Sequence, residues 1–253
     1  MATLSGRHAL VTGGGRGIGR AVAAALSAAG ASVTVLGRQK AALEDAVSAD
    51  HAAGFIAADV TDAAAIDAGI KQAEAERGPI DTLVANAGGV STAPFGKTDP
   101  AQFQKLFDLN VMGIVHGTRA VLPGMVARKF GRIIAVASTA GLKGYPYVTA
   151  YCTTKHAVVG LVRSLAVETA RTGVTVNAIC PGYTDTDLVR ESVAAVSTKT
   201  GKSADDVVAQ YVKDVPMARL IKPEEVAAAV LYLCSVEAGA VTGTAMTVAG
   251  GEI

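Results

Sequence analysis

The segment Thr12-Gly13-Gly14-Gly15-Arg16-Gly17-Ile18-Gly19 constrains this chain more than any other. It follows the apolar run Ala9-Leu10-Val11 and opens a helical stretch over 18–29 that Gly30 ends. Glycines at such a turn permit positive φ and let the backbone approach a ligand closely. The helix that follows offers unpaired N–H groups and the positive end of its dipole to a phosphate. The spacing is Gly-xxx-Gly-x-Gly, not the GxGxxG dinucleotide fingerprint. No Lys-Ser or Lys-Thr pair follows, so the nucleotide loop of the GxxxxGKS/T kind is excluded. A glycine-rich turn alone is also compatible with a plain tight loop. The strand–turn–helix context favours the phosphate reading.

The rest of the chain repeats the same rhythm. Short apolar runs at 32–36, 54–58, 82–85, 132–137, 174–179 and 245–248 read as strands. Helical stretches at 39–49, 62–77, 99–128, 149–171 and 223–235 separate them. Asp62 is a candidate N-cap, Gly78-Pro79 a stop, and Pro223 a first-turn proline. Breaks in the 99–128 helix are expected near Gly113 and Pro123. The strands are apolar without alternation, as when both faces are covered. The fold class expected is α/β: a single-domain, Rossmann-like, doubly wound parallel sheet of about seven strands with helices on both faces. No linker or repeat divides residues 1–253, so a single domain is expected. Residues 184–220 are polar and follow a strand end. Ligands of open α/β sheets bind there, which makes this stretch a candidate substrate lid.

Composition removes several classes. Half the 253 residues are hydrophobic and 18% are charged, which excludes a disordered chain. The formal net charge is +1, so no global excess points to nucleic acid. Three widely spaced cysteines, Cys152, Cys180 and Cys234, form neither a disulfide framework nor a CxxC site and read as thiols of a reducing compartment. His8, His51, His116 and His156 lack metal-site spacing, and no metal is expected. Residues 1–10 carry no signal-peptide run, and no stretch matches a spanning helix, so a cytoplasmic protein is expected.

The end of the second strand speaks to the cofactor. An acidic residue there would bind a ribose 2′-OH, whereas an arginine accommodates a 2′-phosphate. The chain has Gly37-Arg38, with Arg16 inside the glycine loop as a second cation. Both arginines could equally be solvated surface residues. The arginine rule favours NADP(H), with NAD(H) the alternative.

Tyr151 and Lys155 are four residues apart on one helix face. A phenol titrates near pH 10 and is a poor acid–base group at neutral pH. A neighbouring ammonium is expected to lower it. Ser138 follows the run Ile133-Ile134-Ala135-Val136-Ala137 and places a hydroxyl at a strand's carboxyl end. Taken singly, the pair reads as surface and the serine as a strand cap. Beside the glycine loop they read as a proton-transfer site.

With these residues the sequence resembles the short-chain dehydrogenase/reductase family over essentially its whole length. The resemblance rests on Thr12-Gly13-xxx-Gly17-x-Gly19, Asn86-Ala87-Gly88, Asn110, Ser138, Tyr151-xxx-Lys155 and Pro181-Gly182, in that order. It implies that Tyr151 is the general acid/base, that Ser138 holds the substrate carbonyl, and that Asn110 supports a water-linked proton relay. It implies that Lys155 bonds the nicotinamide ribose and lowers the tyrosine pKa. It puts Gly13, Arg16, Gly17, Ile18, Gly19 and Arg38 at the phosphates, and Asp59 and Val60 at the adenine. Asn86, Ala87 and Gly88 lie beside the adenosine ribose, and Pro181, Gly182, Thr184 and Thr186 along the nicotinamide. A homotetramer is implied as well.

Within that family the segment from His156 to Gly182 is similar to β-ketoacyl reductases, polyketide ketoreductases and 3-hydroxybutyrate dehydrogenases. The last group holds a free carboxylate with polar side chains, where this chain has Val90, Ala140 and Val148. An apolar pocket suits an acyl chain, a ring or a thioester. Tyr145 and Tyr147 are candidates to line it, or are packing residues. Arg128, Lys129 and Arg171 fall at or beside positions that dock an acidic acyl carrier protein in similar reductases; a solvated face is the other reading. The chain also departs from the family with Ala85 before Asn86 and with Ala249-Gly250-Gly251 near its end. The function expected is NADP(H)-dependent reduction of a 3-oxoacyl thioester, on an acyl carrier protein or CoA, or of a similar ketone. The alternative is an NAD(P)-dependent secondary-alcohol or 3-hydroxyacyl dehydrogenase for a hydrophobic or cyclic hydroxy compound. A nucleotide-sensing protein without catalysis is disfavoured by the intact Asn110, Ser138, Tyr151 and Lys155.

Overall fold

β1 (His8–Thr12) is buried along its whole length, and its side chains divide between two cores. Leu10 faces one core, whereas Ala9 and Val11 face the other. The same division repeats at Leu83 and Val84 in β4 (Thr82–Ala85) and at Ile133 and Ile134 in β5 (Gly131–Val136). Successive side chains of a strand point to opposite faces. With both faces covered, each must be apolar, which explains the unalternating runs. The computed structural model describes residues 4–253.

Seven parallel strands lie in the order β3-β2-β1-β4-β5-β6-β7. The others are β2 (Ser32–Gly37), β3 (Gly54–Ala57), β6 (Val174–Pro181) and β7 (Ala245–Val248). One face is covered by α1 (Gly17–Ala28), α2 (Lys40–Ser48) and α9 (Pro223–Cys234). The other is covered by α3 (Ala63–Arg77), α5 (Gly113–Arg128) and α6 (Thr149–Thr169). Burying a large aliphatic side chain contributes about 1.5–3 kcal/mol, and two such layers hold the sheet rigid beneath its loops. The chain runs outward from β1 to β3, then returns to build β4 beside β1. The strand order therefore reverses between β1 and β4, and the crevice beyond their carboxyl ends is where such sheets bind ligands.

Caps mark the helix starts. Asp62 accepts hydrogen bonds from Ala64 N and Ala65 N at 3.0 Å, as expected of its side chain before α3. Asp99 caps α4 (Pro100–Phe107) through Ala101 N at 2.8 Å. The break expected near Gly113 is present: the 99–128 stretch is two helices joined by a π-helical turn, Asp108–Met112, just before that glycine. No break occurs at Pro123, which lies inside α5 on its exposed side. There water can satisfy the carbonyl that the proline releases. Residues 184–220 hold two helices, α7 (Asp187–Thr200) and α8 (Ala204–Tyr211). A parallel bridge between Thr184 and Ile221 pins the two ends of this excursion together. Among the described residues no helix is long and apolar enough to cross a membrane.

Candidate active site

The glycine loop is built for close approach. Gly13 has φ +66°, and a Cβ on Gly19 would sit 2.2 Å from the Gly13 carbonyl oxygen. Only glycine lets α1 start this close beneath the loop. Thr12 and Asn86 lash the loop to the end of β4. Thr12 Oγ1 accepts from Asn86 N and Ala87 N, both at 3.0 Å. Asn86 Nδ2 donates to Thr12 O at 3.0 Å and to Gly13 O at 3.3 Å. Thr12 thus holds the cradle, a role its position in the motif did not reveal. Arg16 is exposed at the N-cap of α1 and Ile18 is half-buried in its first turn.

Gly13 N donates to Leu36 O at 2.7 Å, so the Gly37-Arg38 turn borders the same loop. Arg38 extends into solvent, 3.7 Å from Asp59. An exposed pair at that distance is weak, and the guanidinium stays available. Hydrogen bonds from Thr61 N and Thr61 Oγ1, both 2.9 Å, hold the Asp59 carboxyl below its usual range, and Arg38 adds to this. Val60 is buried, and its carbonyl pairs with His116 Nδ1 at 3.1 Å.

α6 carries Tyr151 and Lys155 to the carboxyl end of β5, where Ser138 caps a short turn by accepting from Ala140 N at 3.1 Å. Lys155 Nζ donates to Val136 O at 2.8 Å and lies 5.7 Å from the centroid of the Tyr151 ring. Burial pushes the Tyr151 phenol up to about 12, against the pull of a hydrogen bond with the Ser138 side chain. Burial also brings the Lys155 ammonium down to about 8. The depression of the tyrosine expected from its lysine neighbour is therefore overridden in the chain itself. Both charged forms lose hydration, and at 5.7 Å from the ring the ammonium does not make up the difference. At neutral pH Tyr151 keeps its proton and is a donor.

Asn110 sits in the π-helical turn, wholly buried. Its Oδ1 accepts from Gly89 N at 2.8 Å, and its Nδ2 donates to Gly89 O and to Thr154 Oγ1, each at 3.0 Å. Thr154 Oγ1 in turn donates to Tyr151 O at 2.8 Å. Asn110 thereby joins the Asn86-Ala87-Gly88 turn to the helix of the tyrosine.

Pro181 ends β6, and Gly182 N donates to Val248 O at 3.1 Å. Thr184 Oγ1 donates to Gly182 O at 3.0 Å, and Thr186 Oγ1 to Thr184 O at 3.3 Å. The Thr186 methyl lies 3.3 Å from where a Gly17 side chain would begin. This strip thus runs from the catalytic end of the sheet back to the glycine loop. Glycine cradle, two exposed arginines and buried lysine together fit a dinucleotide stretched across the crevice. Among the described residues no group of three or more His, Cys, Asp and Glu side chains is placed to hold a metal ion.

Three nearby residues escaped sequence reasoning. Tyr183 meets Tyr145 edge-on at 6.4 Å and stacks on Tyr211 of α8 at 4.9 Å, forming an aromatic wall. An aromatic directly after Pro181-Gly182, in a chain only 4% aromatic, was the available signal. Lys143 and Glu252 meet at 3.1 Å beside Tyr145, and nothing local in the sequence predicts that contact. Tyr147 instead points outward, 60% exposed. Arg128, Lys129 and Arg171 follow helices that end at the amino-terminal side of the sheet, before β5 and β6. They do not border this chain's own site, and Arg128 is engaged with Ile80 O at 2.8 Å.

Comparison with known proteins places the chain in a family. The family model described as short chain dehydrogenase matches residues 7–197. The chain is 38% identical over 256 residues to oxidoreductase UcpA of Escherichia coli, covering 100% of this chain and 96% of the relative. It is 39% identical over 249 residues to acetoacetyl-CoA reductase of Shinella zoogloeoides, covering 97% and 98%. A crystal structure of a variant actinorhodin polyketide ketoreductase with NADPH superposes with TM-score 0.93 at 34% identity, covering 100% of this chain and 99% of that one. On motif order, fold and these matches together, the chain belongs to the short-chain dehydrogenase family of oxidoreductases.

Proposed function

We propose that this chain is an NADP(H)-dependent carbonyl reductase acting on a 3-oxoacyl thioester, carried on CoA or an acyl carrier protein. The observation that carries the reading is the protonated, half-buried Tyr151 beside Ser138 and the buried Lys155, at the end of a crevice flanked by Arg16 and Arg38. When bound, the nicotinamide supplies the hydride. Tyr151 gives its proton to the oxygen of the carbonyl, and Ser138 orients that oxygen by hydrogen bonding. Lys155 holds the nicotinamide ribose and supports the phenolate left behind. Asn110 keeps the backbone of α6 in register and connects the site to water. Arg38 and Arg16 take the 2′-phosphate as charge-assisted donors, Gly13, Gly17 and Gly19 border the pyrophosphate, and Thr184 and Thr186 lie along the nicotinamide.

The thioester class draws support from the named activity of the acetoacetyl-CoA reductase relative and from the apolar Val90, Ala140 and Val148. In this reading residues 1–253 form one domain and 184–220 its substrate lid, with Tyr211 of α8 docking on Tyr183. A cytoplasmic homotetramer completes the proposal. The deciding experiment is turnover of acetoacetyl-CoA with NADPH and with NADH, alongside Tyr151→Phe. We expect NADPH-dependent reduction that the phenylalanine variant loses by about a thousand-fold, while its NADPH affinity is retained. Activity with NADH alone, or turnover that survives the substitution, defeats the reading.

A further inference from the structure

The loop from Ser138 to Tyr151 contains one cation, Lys143. The last residues of the chain reach it across the end of β6. Met217 N donates to Gly250 O at 3.1 Å, and Glu252 N donates to Ala249 O at 3.2 Å. This strap brings Glu252 beneath Gly182, its side chain only 3% exposed. Lys143 Nζ lies 3.1 Å from Glu252 Oε1 and also donates to Glu252 O at 3.4 Å. The Tyr145 hydroxyl bonds the same Oε1, and Thr139 Oγ1 is 2.7 Å from that hydroxyl. A carboxylate can only accept, so the phenol donates to Glu252 and takes its second bond from the threonine. All these donors converge on Oε1. Oε2 is buried without a partner and lies 3.1 Å from where a Gly182 side chain would begin.

A carboxylate this deep is held by charge and hydrogen bonds, and the charge of Lys143 is taken up in holding it. Thr139 adjoins Ser138, and Gly182 opens the strip assigned above to the nicotinamide. The Lys143–Glu252 pair thus stands at the edge of the reaction site with its positive charge neutralised. We propose that Glu252 determines the charge preference of the substrate pocket: by neutralising Lys143 it makes the pocket accept neutral acyl derivatives, esters and thioesters, and reject the corresponding free acids. A free carboxylate needs a cation or several donors to replace its water. The loop's one cation is occupied, and the unmatched Oε2 lone pairs repel a second anion. This inference rests on the thioester reading above and gives it a physical selector.

The test compares acetoacetate with ethyl acetoacetate, a pair differing in charge at one end, in the wild type and in Glu252→Gln. Glutamine keeps the shape and can still accept from Tyr145. It frees the ammonium of Lys143 for a charge-assisted bond to the acid. The acid-to-ester ratio of kcat/KM is expected to rise by about ten-fold or more, as one such bond warrants. A merely structural role would lower both substrates together and leave the ratio in place. An unchanged ratio in a variant that unfolds at the wild-type temperature overturns the proposal. Lys143→Gln, at a partly exposed position, is the second arm. It strips the pair of its positive charge, and the ratio is expected to fall; a ratio that holds or rises counts against us, including where Glu252→Gln does not fold. Should the wild type reduce neither ketone but oxidise 3-hydroxybutyrate or its ethyl ester, the reductase reading fails by itself. The same ratio is then read in the oxidising direction.

Discussion

Lys155→Met should make the protein more stable at neutral pH while destroying its turnover. Lys155 is buried, and its ammonium titrates at about 8 instead of the usual 10.5. Holding the charge in the folded state therefore costs about 3 kcal/mol, at 1.36 kcal/mol for each pH unit. Below about pH 8 the lysine is protonated both folded and unfolded, and the folded state bears the whole cost. Between there and 10.5 the unfolded chain binds a proton that the folded chain has released, so this lysine's contribution to stability climbs with pH. Methionine has a similar length and no charge. It forfeits the 2.8 Å bond to Val136 O, whose loss from a buried carbonyl costs about 1–3 kcal/mol. The balance at neutral pH is a gain of about 1 kcal/mol, or about 2–4 °C in Tm for a chain of this size. The sharper quantity is the gap between variant and wild type, which should shift by about 3 kcal/mol against the variant between pH 7 and 10.5. Urea unfolding without dinucleotide, at matched protein concentration, measures it. A gap that does not change with pH would show that burial of Lys155 is not costly and would sink the argument.

Two further substitutions probe the frame and the cofactor end. Asn110→Ala leaves the part-buried Gly89 N–H and C=O without their side-chain partner, and should cost about 2 kcal/mol in urea unfolding; a loss under about 0.5 kcal/mol would mean that water replaces the asparagine. Arg38→Asp puts a second carboxylate beside Asp59, where the guanidinium now stands at 3.7 Å. The kcat/KM ratio of NADPH to NADH should drop by about a hundred-fold, and an unaltered ratio would remove Arg38 from phosphate binding.

The parts of this fold that could be read from sequence are those set by neighbours along the chain. Apolar runs, the glycine turn after β1, the Asp62 cap and Pro223 at the start of α9 all depend on a few consecutive residues. The order of motifs then carried the sheet, because the crossover connections of parallel strands leave few topologies. Gly113 marked a break in the 99–128 helix, but the π-helical form of that break at Asp108–Met112 was not legible, since its reason is tertiary. It faces Asn110 toward Gly89 and Thr154, 21 and 44 residues distant in the chain. Pro123 misled for the converse reason: a proline's penalty depends on whether the freed carbonyl meets water, and here that side of α5 is exposed.

At the site, spacing shows which groups meet but not how each titrates. Tyr151 and Lys155 share a helix face by their separation of four, and the structure keeps them together. What spacing does not contain is the depth of the pair. At the surface the ammonium would govern and the phenol would titrate low. Under the loop from Ser138 both groups are desolvated, and the tyrosine holds its proton up to about 12. A phenol that keeps its proton at neutral pH can donate it to a developing alkoxide, and the reverse reaction returns that proton to the same oxygen. Glu252 extends the same point to substrate choice. Its partner Tyr145 lies 107 residues earlier, so no window of sequence brings them together. Yet once the strap sets Glu252 against Gly182, that carboxylate decides whether the one cation of the pocket loop is free to greet an anion or already engaged.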